Sequence, residues 1–195
     1  MDKEQILSTA VQLFRSKGYH ATTVREIADR LGVTSAALYY HVKSKEELLC
    51  EIFDRAMTAA ERRLDTVMNL DLAPDNHIER IIHEHVMANL DEAPLMAIFF
   101  NEVEHLPADS YKAAIERKRK YQDRIIGALE DAKAHGLVED IDSELAVFGI
   151  LGMCNWMHYW YRPDGPKSPD EIAQLFARIV LRGIHRREQG TEIRE

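Results

Sequence analysis

Thr34, Ser35, Tyr39, Tyr40 and His41 crowd into one short run, TSAALYYH. Hydroxyls, phenols and an imidazole suit hydrogen bonding to phosphate oxygens and base edges better than bond-breaking chemistry. Ala36 and Ala37 add little bulk between them, so a helix carrying this run can lie close to the floor of a DNA major groove. Such groups work only if a frame aims them, and the flanking residues predict one. Thr23 and Glu26 have capping-box spacing at the start of a first helix, whose apolar face is Ile27, Ala28 and Leu31. Gly32 stands where a left-handed residue ends that helix, and Thr34 or Ser35 can cap the next. The second helix is expected to carry Ala36 to His41. Leu38, Val33 and Ile27 are expected in the core, and of Tyr39 and Tyr40 one ring is expected to pack while the other faces solvent. The whole stretch, Thr23 to Lys45, reads as a helix-turn-helix.

Composition sets the frame around it. The chain has 195 residues, 46% of them hydrophobic, which suffices for a sizeable core, and a small domain followed by a larger one fits that length. No apolar run approaches the roughly 18 residues of a membrane span, and the first residues lack the form of a signal peptide. Cys50 and Cys154 are far apart without metal spacing, so reduced thiols in a cytoplasmic protein are expected. No P-loop, nucleophile elbow or paired-cysteine motif is present, so neither an enzyme nor a cofactor is predicted. Charge is unevenly placed. In residues 1–45, Lys3, Arg15, Lys17, Arg25, Arg30, Lys43 and Lys45 face Asp2, Glu4, Glu26 and Asp29, a net +3. Since the chain carries −8, the remainder carries −11. A basic head on an acidic body fits a head that meets phosphate.

The pattern predicts an all-α fold of about nine helices, with no strand pattern and no internal repeat. A first helix over Asp2–Lys17 completes a three-helix head and offers the amides of its first turn to a phosphate. Ser44 to Glu47 form a second capping box, opening a long helix through Leu64 that joins head to body. Asp71 to Asp75, with Pro74, is a break after which Asp75 or Asn76 can cap a further helix, and Pro94 starts another. A long helix over Ser110–His135, with Tyr111, Ala114, Ile115, the stem of Lys118, Ile125, Leu129 and Ala132 as its core face, closes at Gly136. A helix apolar on nearly all sides then runs from Leu145 to Tyr161. The last is capped by Ser168, with Pro169 first and Glu171 third. The tail after Arg186 is expected to fray.

Together the run ILSTAVQLFRSKGYHATTVREIADRLGVTSAALYYHVKSKEELL closely resembles the head of tetracycline-repressor-like (TetR family) regulators. It carries the family's F-x-x-x-G-Y/F, T-T-V-x-x-I-A, L-G-V and L-Y-x-H-V/F-x-x-K-x-x-L elements. The resemblance implies a homodimer on a palindromic double-stranded DNA operator, usually repressing, with a DNA-binding domain over 1–45 and a ligand-binding and dimerisation domain over 46–195. It implies that Thr23 and Arg25 meet phosphate or an outer base. By the same resemblance Thr34, Ser35 and Ala36 are expected to face base edges, Tyr39, Tyr40 and His41 to hold the backbone, and Lys45 to reach phosphate.

The body is less specific. The stretch GMCNWMHYWYRPDGPKSPDEIAQLFARIVLRGI resembles the C-terminal helix pair of members that regulate fatty-acid, steroid and other acyl-group catabolism, several of which respond to coenzyme A thioesters. That resemblance implies a four-helix dimer interface using Leu175, Phe176, Ile179 and Val180, and a small-molecule effector of apolar or acyl-CoA type. Effector-pocket candidates are Met87, Leu90, Met96, Phe99, Phe100, Val103, Tyr111, Ile115, Phe148, Leu151, Gly152, Asn155, Trp156 and Tyr159, set against plain core. Arg117 to Lys120 with Arg124 can meet a phosphate-bearing ligand or simply form a solvated face. A metal- or redox-responsive regulator with the same head is the alternative, resting on Glu102 and His105 at i, i+3, with His83, His85 and His158 also weighed.

Overall fold

The computed structural model describes residues 2–184, so the tail expected to fray lies outside the described residues. The described residues form ten α-helical segments and one 3₁₀ turn, with no strand among them. In order these are α1 (Lys3–Lys17), α2 (Val24–Leu31), α3 (Ser35–Tyr39), α4 (Lys45–Met68), α5 (Pro74–Asp91), α6 (Ala93–Glu102), a 3₁₀ turn (Val103–His105), α7 (Ala108–Ala134), α8 (Ser143–Asn155), α9 (Met157–Trp160) and α10 (Pro169–Ile184). Only Trp156 separates α8 from α9, so counting them as one helix returns the expected nine.

The chain divides into two compact units, Met1–Arg62 with Ala88–Lys120, and Arg63–Met87 with Tyr121–Glu195. In the first, α1 buries Ile6, Leu7, Ala10, Val11, Leu13 and Phe14 and packs on α2 and α6. From α4, Leu48, Leu49, Ile52 and Phe53 complete this core, with the Phe53 ring stacked on Phe99 at 4.7 Å. Ion pairs of Glu51 with Lys3 (2.9 Å) and Arg55 (3.0 Å), and of Arg55 with Glu4 (2.5 Å), tie α4 to α1. The second unit buries Val67, Ile82, Val86, Leu129, Val147 and Met157 among others.

Local chemistry sets the helix ends. Asp2 caps α1, accepting from the Gln5 amide at 2.8 Å while the Gln5 side chain accepts from the Asp2 amide. The Asp2 carboxylate thus occupies one of the first-turn amides of α1. Pro74 itself opens α5, which places Asp75 and Asn76 inside the first turn instead of at the cap. Glu47 takes the Ser44 hydroxyl on its amide (3.2 Å), but its carboxylate reaches the Lys43 amide (2.7 Å) one residue further back, so this capping box is displaced. Ser168 and Glu171 form theirs in full, at 2.9 and 3.2 Å.

The core face expected at the start of α7 is corrected. Tyr111 and Ile115 are each 42% exposed, and Lys118 is exposed. The side toward α4 is Ser110, Ala113, Ala114 and Arg117, which line a cavity with Phe53 and Met57. Small side chains there leave room for Arg117, which donates to Asp54 (2.6 Å), Thr58 (3.1 Å) and Glu61 (2.5 and 3.0 Å). A strong charge-assisted clamp, not apolar packing, joins α7 to α4 at that end.

Candidate nucleic-acid interface

The helix pair is built as its caps dictate. The Thr23 hydroxyl accepts from the Glu26 amide at 3.2 Å, and the Glu26 carboxylate accepts from the Thr23 amide at 2.9 Å. Lys17 pairs with the same carboxylate at 2.5 Å. That hydrogen bond, followed by the one from the Thr23 amide, holds the Glu26 carboxyl below its ordinary range, so the acid stays ionised and engaged within the head. Gly32 then adopts φ 68°, ψ 30°. Its amide bonds Asp29 O at 3.1 Å and the Val33 amide bonds Ala28 O at 3.0 Å, closing the carbonyls of α2. A Cβ at Gly32 would meet nothing within 4 Å, so backbone strain is the whole penalty of a side chain there. Gly32→Ala is expected to lower stability by about 1–2 kcal/mol, read as a drop in Tm, with α2 retained by circular dichroism.

Thr34 caps α3, accepting from the Ala37 amide at 3.2 Å. The helix is only Ser35–Tyr39, shorter than expected, and Tyr40 and His41 follow in a tightened turn where the His41 amide reaches Leu38 O at 2.9 Å. Leu38, at 0% exposure, anchors the segment with Ile27 and Ala28 beneath it. Both tyrosines face outward, Tyr39 at 52% and Tyr40 at 88% exposure, so the expectation that one ring packs is corrected. On a helix this short, one apolar anchor suffices and Leu38 takes that place. Thr34, Ala36 and His41 are exposed beside them, as are Thr23 and Arg25 on α2, while Ser35 is half-buried. The Tyr40 and His41 rings meet edge-on at 5.4 Å. The result is one outward surface of hydroxyl, phenol, imidazole and guanidinium groups.

Lys45 sits differently. Its ammonium donates to Tyr19 O (2.8 Å) and Thr22 O (2.9 Å) and lies 4.2 Å from the centre of the Tyr19 ring. It closes the α1–α2 loop, residues 18–23, from within. The opposite side of that loop meets the 3₁₀ turn after α6, with the Tyr19 ring stacked on His105 at 5.7 Å and His20 Nε2 3.0 Å from His105 Nε2. Sequence reasoning missed this joint, because the partners are 85 residues apart and only Glu102 and His105 share a local spacing.

Two family profiles cover most of the chain. The profile for bacterial regulatory proteins of the tetR family matches residues 6–52, and that for the tetracyclin repressor-like C-terminal domain matches residues 71–184. The protein belongs to the TetR family. It is a DNA-binding transcriptional regulator and not an enzyme. It is 32% identical to the HTH-type transcriptional repressor KstR2 of Rhodococcus jostii strain RHA1, with 93% of this chain and 90% of the relative covered. The ketosteroid transcriptional regulator KstR2 of Mycobacterium tuberculosis superimposes with a TM-score of 0.89 at 25% identity, covering 96% of this chain and 97% of that one. AibR, solved in complex with isovaleryl coenzyme A and operator DNA, superimposes with a TM-score of 0.81 at 28% identity, over 90% and 96% of the two chains.

In this TetR-family regulator the expected pocket residues fall into different surroundings. In the first unit Met96 and Phe99 are buried, Leu90, Phe100 and Val103 are half-buried, and Tyr111 and Ile115 are exposed. In the second, Leu151 is buried and Met87 and Asn155 are half-buried, whereas Phe148, Gly152, Trp156 and Tyr159 lie on an open face. That face is one helical stripe: Leu145, Phe148, Gly149, Gly152, Trp156, Tyr159 and Trp160, with Trp156 at 60% and Leu145 at 66% exposure. Val147, Ile150, Leu151, Cys154 and Met157 form the opposite, buried stripe. The last helix repeats the division, with Leu175 and Ile179 exposed, Phe176 half-buried, and Val180 buried in its own unit.

A polar cluster is built into the second unit's core. His85 Nε2 donates to Asn155 Oδ1 at 2.8 Å, and Nδ1 accepts from the Tyr121 hydroxyl at 2.7 Å. Both bonds suit a neutral ring, and burial pulls the His85 pKa down to about 4. Among the described residues no group of three or more His, Cys, Asp or Glu side chains is placed to hold a metal ion. His83 meets Asp170 (2.8 Å), and His158 meets the backbone oxygen of Asn155 (2.6 Å), the residue whose side chain His85 bonds. Cys154 is buried and its thiol is pushed up to about 12, the opposite of a reactive thiolate. This geometry does not support the metal- or redox-responsive alternative. Of the basic run, Arg117 is engaged by α4, Lys120 by Glu116 (2.9 Å) and Arg124 by Asp65 (2.8 Å).

Proposed function

We propose that the protein is a cytoplasmic homodimeric repressor, released from a palindromic operator by an acyl-CoA effector. The observation that carries the DNA-reading part is the outward surface of Thr34, Tyr39, Tyr40 and His41 around the buried Leu38. Apart from the Thr34 cap, these groups point away from the core of the head, and they suit phosphate and base edges. Thr23, Arg25, Ser35 and Ala36 complete the contact set within a DNA-binding domain over 1–45. Lys45 supports it from behind by holding the α1–α2 loop.

The dimerisation and ligand-binding domain is then 46–195. An uncovered stripe of this size, with two tryptophans, is the surface a second copy would cover. Phe148, Gly152, Trp156 and Tyr159 therefore fit the dimer face with Leu175, Phe176 and Ile179, and Val180 supports that face from the core. The effector then falls to Leu90, Met96, Phe99, Phe100 and Val103 of the first unit. Met87 and Asn155 belong to the second unit, where Asn155 is engaged by His85. Isovaleryl coenzyme A in AibR supports the acyl-CoA class, and the KstR2 relatives support repression. Among the described residues no helix is long and apolar enough to cross a membrane.

The test is to select an operator from random duplex DNA, measure affinity by fluorescence anisotropy, and titrate isovaleryl-CoA, longer acyl-CoAs and free coenzyme A. Release by an acyl-CoA at concentrations where free coenzyme A does nothing is the expected result. At fixed salt, Tyr40→Ala should weaken operator binding about tenfold and leave dimerisation and Tm unchanged, because the exposed ring adds nothing to the core. Undiminished affinity would remove Tyr40 from the interface.

A further inference from the structure

The joint between the α1–α2 loop and the 3₁₀ turn after α6 brings two imidazoles and a carboxylate together. His20 Nε2 lies 3.0 Å from His105 Nε2 and 3.2 Å from Nδ1, with ring centres 3.9 Å apart. Glu102 Oε2 lies 3.4 Å from His105 Nε2, and its Oε1 accepts from the Tyr19 amide at 3.4 Å. We propose that the His20–His105 pair is a proton-operated latch. It is closed while the two imidazoles hold at most one extra proton between them, and opened by the second.

The physical reason lies in the donor count. One ring must accept what the other donates. A pair with one extra proton still has an acceptor nitrogen, and the Glu102 carboxylate offsets its single charge. When both rings are imidazolium, every ring nitrogen is a donor, no acceptor remains, and two like charges stand in contact. Histidine is the side chain type whose ordinary charge change falls between about pH 5 and 8. His20 is exposed, so protons reach the pair freely.

The groups facing the joint from α4 do not relieve that repulsion. Lys45 adds a fixed cation on the loop carbonyls. Glu46 and Cys50 lie around Tyr19, whose phenol stays protonated, its pKa raised first by burial and then by Glu46. Among the described residues, Glu102 is the carboxylate placed against the pair. The latch matters because its loop runs into Thr23, the cap of α2. Opening it frees the segment that aims the DNA-reading helices, so operator affinity should fall as pH falls. The inference rests on the proposed operator binding for its functional arm, but not for its structural one.

The test compares wild type with His105→Gln, whose amide can hydrogen-bond but cannot take a charge. At fixed ionic strength the ratio of wild-type to H105Q operator affinity should fall about fivefold from pH 7.5 to pH 5.5. Taking the ratio cancels every pH effect that both proteins share. A ratio constant over that range overturns the latch. A double-mutant cycle in urea unfolding, using His20→Gln, His105→Gln and both together, needs no DNA. Coupling present at pH 7.5 and lost at pH 5.5 supports the latch; coupling absent at both, or equal at both, overturns it. Absence of specific DNA binding at every pH would sink the repressor reading instead, and the cycle would still decide the latch.

Discussion

Ile179→Asp should turn the protein into a folded monomer that no longer holds its operator. Ile179 is 52% exposed on the apolar stripe of α10, so in one chain the carboxylate meets water and stability should change by no more than about 0.5 kcal/mol. Across a two-fold interface the same change counts twice, because each copy contributes the same face. Two carboxylates would be buried among Leu175, Trp156 and Phe148, a placement proteins do not tolerate without partners. Losing the dimer removes the second head from the palindrome, and the gain from linked binding goes with it, on the order of 100-fold in affinity. Sedimentation velocity reads the monomer, and anisotropy reads the affinity. A variant still dimeric would place the interface elsewhere and return Trp156 and Phe148 to the effector pocket.

The second large effect is an acid destabilisation centred on His85. Burial lowers its pKa to about 4 from the ordinary 6.5, while the Asn155 hydrogen bond works weakly the other way. Above pH 6.5 the ring is neutral in both folded and unfolded chains, and the full stability is present. As pH falls from 6.5 toward 4 the unfolded chain takes up a proton that the folded chain refuses. The unfolded state therefore binds more protons in this window, and stability must fall with pH. A pKa lowered from 6.5 to about 4 corresponds to on the order of 3 kcal/mol, largely lost by pH 4. Urea midpoints of wild type and His85→Gln, measured from pH 7 to pH 4, should converge because the variant lacks this slope. Parallel curves would mean that His85 is not held neutral by the core.

The head was largely legible in the linear order of residues. Thr23, Glu26, Gly32, Thr34 and Leu38 act through partners within a few positions, and their geometry follows from spacing alone. The same holds for Ser168 and Glu171 at α10 and for Gly136, which closes α7 at φ 72°. Where local rules competed, position shifted by about a turn. Tyr40 and His41 left the helix, and the start of α7 turned toward α4 through Arg117 in place of Tyr111.

What the chain by itself determined, then, is the set of helices, their caps and the hydrogen-bonding surface of the reading head. These rest on interactions between residues three or four apart, which any helix brings together. Tertiary structure decided which of two apolar stripes on α8 is covered. Val147, Ile150 and Cys154 are as hydrophobic as Leu145, Phe148 and Trp156, and burial depends on what packs against each, which periodicity does not record. It also decided that Lys45 closes a loop and that His20 meets His105. Contacts between residues 85 positions apart carry no local signature, because only the packing of distant helices brings them within hydrogen-bonding distance.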